Sequence, residues 1–294
     1  MYLLIAVASA GCYAIASVLQ HRAAASVPVS EVGPVGLLLR LVRQPIWAIG
    51  NVADLAAVGL QGLALRHGSL LAVQSVLAGG VLFALPLGAA LSHTPLGRND
   101  WRAAFVLVLG LGVLLGVGQP VGGGAEPSLS TWLVVTGITL TVVGAVGLLS
   151  RLGRNSPAGL LAAASGALFA LDAAFLKATV DHLHGGALVR LDVGAPLAGF
   201  LASALVGNIL IHRAFQLAPL HVGLPALVVA EPVVALVLGM VLFHERFSNH
   251  PATLAALAGG AVAFTAAAVL ARHEADIGEP ATAPSPGFVS RPVR

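Results

Sequence analysis

Apolar residues run along this chain in blocks of the length that crosses a bilayer, about 17–25 residues each. Nine such blocks can be marked, at 2–20, 47–65, 69–91, 101–118, 131–149, 157–179, 194–212, 220–243 and 252–271. No Lys or Arg precedes the first block, so it reads as a retained helix and not as a cleavable signal. Residues 21–46 form the longest internal connection, and VGLLLRLVRQPIW within it reads as a short interfacial helix. Residues 119–130 are a Gly/Pro turn, and the Pro-rich stretch 273–294 reads as a disordered tail.

The eighth block is the one around which the others are expected to pack. GLPALVVAEPVVALVLGMVLFHE (223–245) carries a carboxylate, Glu231, between two prolines, Pro225 and Pro232. Each proline lacks an N–H, so carbonyls near residues 221 and 228 are expected to lose their helix partner. Backbone loosened in this way survives in hydrocarbon only inside protein or beside a wet cavity. An acid at that depth marks a functional site by default.

Composition sharpens the class. The chain is 57% hydrophobic and 9% charged, whereas a soluble domain carries about 25% charged residues. The net charge of +3 comes from residues spread over the loops, a membrane-orientation pattern and not a nucleic-acid surface. A single cysteine, Cys12, excludes an internal disulfide and a cysteine-rich metal site. Counted from an outside N-terminus, eleven of the fifteen Lys and Arg fall on inner segments. Arg66, Arg190 and Arg246 fall outside and Lys177 within a block. The positive-inside bias therefore predicts a multi-pass cell-membrane protein with its N-terminus out and its C-terminus in the cytoplasm.

The sequence also repeats itself. Shifted by 150 residues, 69–91 falls on 219–241 without a gap; shifted by 156, 4–15 falls on 160–171, matching Ser9 with Ser165 and Tyr13 with Phe169. The expected fold is an all-α polytopic membrane protein with about nine transmembrane helices. Residues 1–120 form a first four-helix repeat, 121–156 a linking helix with its loops, and 157–272 a second four-helix repeat. One crossing between even-numbered units inverts the second against the first, as in carriers that bind substrate at the repeat interface.

At this point a resemblance enters. Glu231-Pro232-Val-Val-Ala, followed by Gly239 and His244-Glu245, resembles the end of the penultimate helix in the drug/metabolite transporter (EamA-like) superfamily. LVRQPIW and ALRHGSLLAVQ resemble its second and third helices, and VLQHRAA with the nine-helix count is similar to its NIPA-like magnesium-transporter branch. The likeness implies a carrier fold over residues 1–272. It departs from the commoner pattern at His244, where Gly is usual. It also lacks the first-helix Glu of the small multidrug members, so their mechanism does not transfer.

Several polar positions are candidates for a substrate or ion cavity. Glu231 lies about eleven residues into its block, roughly 16 Å deep. It is either a proton- or cation-binding acid or a protonated carboxyl bonded to a neighbouring helix. Asp172 is five residues from Lys177, the wrong spacing for a stacked pair, and Lys177 is expected to snorkel outward. Asn51, Asp54 and Gln61 share one helix face, which is either wet or interhelical glue. Gln74 and Ser75 take the repeat positions of Leu224 and Pro225; Asn208 is a further candidate in the seventh block, and His212, near its cytoplasmic end, is expected at the interface. Asp181, His182 and His184, with His244, Glu245 and His250, make outer-loop clusters that loop polarity explains as well as a metal does. Glycines 110, 112, 116 and 118 with Gly259 and Gly260 predict close pairing of the fourth and ninth blocks.

These features predict a secondary carrier of a metabolite or drug-like solute, coupled to protons. A Mg²⁺ or other divalent-cation pathway is the alternative, although Mg²⁺ keeps several waters and is held by carboxylates, which here sit at three depths. No nucleophile–base pair, phosphate-cradling loop or HExxH is present, so an enzyme is not expected. The expected partners are the membrane lipid bilayer and a small-molecule or ion substrate, with a homodimer open and nucleic acid excluded. No cofactor is expected.

Overall fold

The protein is described from a computed structural model covering residues 1–27, 34–92, 127–152, 158–183, 191–217 and 220–247, with short pieces between 97 and 113 and between 254 and 262. Among the described residues every regular element of any length is an α-helix: α1 (Tyr2–Ala25), α2 (Pro34–Leu41), α3 (Pro45–Leu65), α4 (Leu70–Ala78), α5 (Val81–Ser92), α6 (Leu129–Leu152), α7 (Ala158–Leu183), α8 (Leu191–Leu217) and α9 (Leu220–Leu242). Six stretches are long and apolar enough to cross a membrane: Tyr2–Ala25, Pro45–Leu65, Leu70–Leu91, Leu129–Leu149, Ala158–Asp181 and Gly194–Leu217, with a shorter apolar stretch at Ala226–Leu242. This is a polytopic membrane protein. Its outward surface agrees, since Leu133, Val134, Ile138 and Leu149 on α6 are more than half exposed, a state that lipid and not water accommodates. The fourth and ninth blocks and the tail lie largely outside the described residues.

Two sequence expectations change form. The third block is two helices, α4 and α5, parted by a turn at Gly79–Gly80. A Cβ on Gly80 would stand 2.9 Å from the Leu77 carbonyl and 3.1 Å from the Ala10 carbonyl of α1, so only glycine lets the chain turn this close to α1. The eighth block, by contrast, is an unbroken helix through both prolines; the missing N–H bonds do not interrupt it. Where the fourth and ninth blocks are described they touch: a Cβ on Gly259 would lie 2.6 Å from the Gly110 carbonyl oxygen.

Helix ends gather at two poles. At one, α7 and α9 finish beside the start of α4 and α6. There Trp132 stacks on Phe175 at 4.6 Å between ring centroids, and Phe243 meets Trp132 edge-on. At the other, Ala23, Val27, Leu37, Leu41, Leu161 and Phe215 close one apolar cluster from α1, α2, α7 and α8. Its polar fastenings are Gln216 Nε2 to the Val27 carbonyl (2.9 Å) and Trp47 Nε1 to His212 Nε2 (2.9 Å). Trp47 can only donate, so His212 Nε2 accepts and its Nδ1 carries the hydrogen toward the Asn208 carbonyl, 2.8 Å away. His212 is thus a neutral, fully buried brace between α3 and α8.

Two hydrogen bonds recur in matching places. Ser9 Oγ on α1 donates to the Ala57 carbonyl of α3 at 2.8 Å, and Ser165 Oγ on α7 donates to the Gly207 carbonyl of α8 at 2.8 Å. All four residues are separated from their counterparts by the 150- or 156-residue shifts. The close crossings correspond as well. Gly80 of the α4–α5 turn approaches Ala10 of α1, and Gly166 of α7 approaches Ala230 of α9, where a Cβ would stand 3.0 Å from the Ala230 Cβ.

Candidate functional site

α1, α3, the α4–α5 turn, α7, α8 and α9 enclose a cavity of about 140 Å³. At roughly 10–15 Å³ of such volume per water, it has room for a small organic solute or a hydrated ion. Three acids from three helices, Asp54 of α3, Asp172 of α7 and Glu231 of α9, all line it. Gln61, Asn208 and Tyr13 line it too, and Phe169, Phe200 and Phe215 supply aromatic wall. Among the described residues no Lys, Arg or His lines the cavity.

Each acid is held differently. Glu231 Oε1 accepts from Gln74 Nε2 at 3.0 Å. Asp172 Oδ1 faces Ser203 Oγ at 3.3 Å, but that hydroxyl also faces the Gly199 carbonyl at 2.7 Å and has one hydrogen to give. Asp54 has no hydrogen-bond partner among the described residues. The three depths expected from sequence therefore converge on one void, and Tyr13 lies within electrostatic reach of all three carboxylates. They do not close on a single point: among the described residues no group of three His, Cys, Asp or Glu is placed to hold one metal ion.

The remaining expected positions sort by contact. Gln74 is buried behind the cavity wall, touching Glu231 in front and Gln61 at the side, where Gln61 Nε2 donates to Gln74 Oε1 at 3.3 Å. Ser75 turns its hydroxyl back to the Leu71 carbonyl (2.8 Å), and neither it nor Pro232 is among the described lining residues. Pro225 lies within α9, with its side chain outside those described. Asn51 folds its amide onto the Trp47 carbonyl at 2.8 Å, leaving Asp54 and Gln61 as the members of that stripe that reach the cavity. The Lys177 side chain does not extend into open space. It is mostly buried, 3.5 Å from Asp181 Oδ2 and 5.4 Å from the Phe243 ring centroid. Of the outer-loop clusters, His182, His184 and His250 lie outside the described side chains.

Glu245 was expected as the close of the penultimate-helix motif and as part of an outer-loop cluster, and its placement is specific. Its carboxylate is buried and accepts the N–H groups of Leu70 (2.5 Å) and Leu71 (3.0 Å), while Ser69 Oγ accepts that of Ala72 (3.1 Å). Three of the four orphan donors of the α4 N-terminus are thereby satisfied, two of them by a residue 174 and 175 positions away. The reach needs a left-handed backbone at His244 (φ 52°) and no side chain at Gly239, whose Cβ would lie 2.6 Å from Glu245 Oε2. Burial raises the Glu245 carboxyl above its ordinary value, opposed by the two backbone donors. Tyr13 was equally missed as a site residue. Its only sequence signal was its pairing with Phe169 across the repeat.

No family model matches the sequence, and no solved structure matches the chain. An uncharacterized protein of Corynebacterium glutamicum is 33% identical over 245 residues, spanning 83% of this chain and 85% of the relative. Identity at that level over most of both chains cannot arise from shared apolar composition alone, and this chain belongs to the same family as that protein.

Proposed function

We propose that this protein is a secondary carrier that moves a small cationic or amine-bearing solute across the cell membrane by alternating access, in exchange for protons. The carrying observation is the make-up of the cavity wall. Six lining pairs stand 150 residues apart: Asp54 and Ala204, Val58 and Asn208, Gln61 and Ile211, Leu77 and Leu227, Ala78 and Val228, Val81 and Glu231. Tyr13 and Phe169 add a pair at the 156-residue shift. A void built from matching positions of two halves is what an inverted repeat produces at its interface. The serine bonds and glycine crossings described above support the same two-unit reading.

The helix poles support the span count. α5 descends along the second half of α1, toward the α2 pole, whereas α6 begins at the Trp132 pole. This placement of α5 and α6 fits the reading of nine helices in all. With the basic residues on the α2 pole, the N-terminus faces out and the C-terminus in. Membership of the drug/metabolite transporter superfamily is part of this reading. The left-handed His244 stands where that superfamily usually has Gly, the residue best suited to such a backbone. No chemical catalysis is assigned to the protein.

Three carboxylates that face no cation among the described residues favour a positively charged cargo or a proton over an anion. The same observation favours a second reading, passage of hydrated Mg²⁺, in which separated acids hold the ion through its waters. Proteoliposomes loaded with a pH-sensitive dye decide between them. Under the carrier reading, a panel of organic amines elicits proton counter-movement that collapses in Glu231→Gln, while Mg²⁺ flux stays at background. Mg²⁺ flux that depends on Glu231, with no amine response, transfers the assignment to the second reading. Amine-driven proton movement unchanged in Glu231→Gln removes the coupling site.

A further inference from the structure

Glu231 is joined to the opposite side of the cavity by a hydrogen-bonded line of three side chains from the other half. Tyr13 Oη lies 2.5 Å from Gln61 Oε1, Gln61 Nε2 lies 3.3 Å from Gln74 Oε1, and Gln74 Nε2 lies 3.0 Å from Glu231 Oε1. α1, α3 and α4 each contribute one member and α9 the terminus. Gln61 and Gln74 are 3% and 1% exposed, so no bulk water interrupts the line. Neither amide can ionise, and each has an acceptor end and a donor end.

From this geometry we infer that Gln61 and Gln74 form a relay that reports the protonation state of Glu231 to the hydroxyl of Tyr13. When Glu231 is ionised it can only accept, so Gln74 presents its NH₂ and must accept from Gln61 through Oε1. Gln61 then presents Oε1 to Tyr13, whose hydroxyl hydrogen is consumed in the relay. When Glu231 takes up a proton and donates it toward Gln74, every step reverses. Glu231 O–H donates to Gln74 Oε1, Gln74 Nε2 to Gln61 Oε1, and Gln61 Nε2 to Tyr13 Oη. Tyr13 now accepts, and its own hydrogen is released to the cavity it lines. No proton travels along the amides; what passes is the orientation of two dipoles.

The inference deepens the proton-coupled carrier reading by giving the proton a route to the cargo. With Glu231 charged, the cavity offers an acid and no free Tyr13 donor. With Glu231 neutral, it offers a donor and one acid fewer. The other ionisable groups around Glu231 are Asp172 on α7, Asp54 across the cavity and Tyr13 itself. α4 and α5 bring none. α6 and α8 bring only Arg151, Asp192, His212 and Arg213 at or near their ends. Lys177 is engaged with Asp181 toward the outer pole.

Infrared difference titration of the full chain in liposomes tests the relay without any substrate. The Glu231 carboxyl band is assigned by its loss in Glu231→Gln, and the Tyr13 band, separated from Tyr2, by its loss in Tyr13→Phe. In the wild type the two bands are expected to move with one midpoint. In Glu231→Gln the Tyr13 band is expected to lose its pH response entirely. In Gln74→Met or Gln61→Met the carboxyl band still titrates while the Tyr13 band stays still. A Tyr13 band that never moves in the wild type overturns the relay, as does one that still follows pH in Glu231→Gln or Gln74→Met, or a Glu231 carboxyl that does not titrate. Should both glutamine variants fail to fold, the wild type and Glu231→Gln decide alone. Lost flux with co-titration intact sinks only the carrier reading; lost co-titration with flux intact sinks only the relay.

Discussion

Among the helices that wall the cavity, positions 150 or 156 residues apart make matching packing contacts and carry contrasting chemistry. α3 and α8 receive the same serine bond, from Ser9 and from Ser165, at the same 2.8 Å. Yet along the wall, wherever one half places a polar group the matching position is apolar: Asp54 against Ala204, Gln61 against Ile211, Asn208 against Val58, Glu231 against Val81. Tyr13 against Phe169 differs by a single hydroxyl. The lesson is a division of labour. The serine bonds and glycine crossings that hold helices together occur at both members of a matched pair, because each crossing has to pack. Positions that face the void carry their polar group once, because a second buried charge at the mate would add desolvation cost and repulsion without a partner.

The largest effect expected from this asymmetry is on flux. Glu231→Gln is expected to reduce proton-coupled amine movement at least about tenfold, the factor that 1.4 kcal/mol supplies, whereas Val81→Ala at the matching position changes it less than about twofold. Initial rates in proteoliposomes at matched protein density measure both. Equal losses at 81 and 231 would mean that the cavity reads shape and not charge, and the asymmetry would lose its meaning.

Next in size is the contact that fastens the second half to the first. Glu245→Ala strands two buried N–H groups at the start of α4, and each such group costs about 1–3 kcal/mol. A total loss of about 2–4 kcal/mol is expected, read from unfolding in detergent. The pH dependence has a definite sign. The folded Glu245 carboxyl lies above its unfolded value, so it favours the fold below the ordinary carboxylate range. That contribution is lost as pH rises through the raised value. Glu245→Gln, which cannot ionise, should be less stable at neutral pH and should lack this part of the slope.

How far the sequence foretold these features depends on where each one's cause lies. Blocks of apolar residues revealed the spans, and a gapless self-match revealed Ser9 with Ser165, because packing constraints leave a mark at every turn of a helix. Glu231, Asp54, Asp172, Gln61 and Asn208, which line one void, drew notice for a related reason: a polar group in hydrocarbon stands out against its neighbours. Glu245 stood out in a motif, but its bond to the start of α4 was not legible. The residue sits beyond the apolar run, where a carboxylate looks like loop polarity, and its work is done on N–H groups 174 and 175 positions away. Lys177 had one legible partner, Asp181 at the i,i+4 spacing of its own helix; the Phe243 ring beside it comes from just past α9 and leaves no local mark. The break in the third block had a visible signal in Gly79–Gly80. Glycine is so common here, at 35 residues, that the pair did not stand out.

A smaller effect tests the matched crossings. Gly166→Ala would set a Cβ 2.8 Å from the Leu227 carbonyl, and Gly80→Ala one 2.9 Å from the Leu77 carbonyl. Backbone must shift in both, so each is expected to cost about 1–3 kcal/mol, the range for overpacking a tight interior. Gly137 on α6, with nothing within 4 Å of its Cβ position, serves as the control and should gain from the better helix former.

The finest measure of likeness between the halves is the serine pair. Ser9→Ala and Ser165→Ala each delete one interhelical hydrogen bond to a carbonyl and leave the helices' own ladders intact. Bonds of this kind between membrane helices average about 0.6 kcal/mol, so losses of about 0.5–1.5 kcal/mol are expected for each. If the two halves are one scaffold used twice, the losses should agree within about 0.5 kcal/mol and add in the double variant, since separate sites without shared partners couple weakly. A tenfold stronger preference for one serine would mean that Ser9 or Ser165 serves the cavity and not the frame. Because Ser9 and Ser165 are both fully buried and neither lines the void, the frame is where their effect belongs.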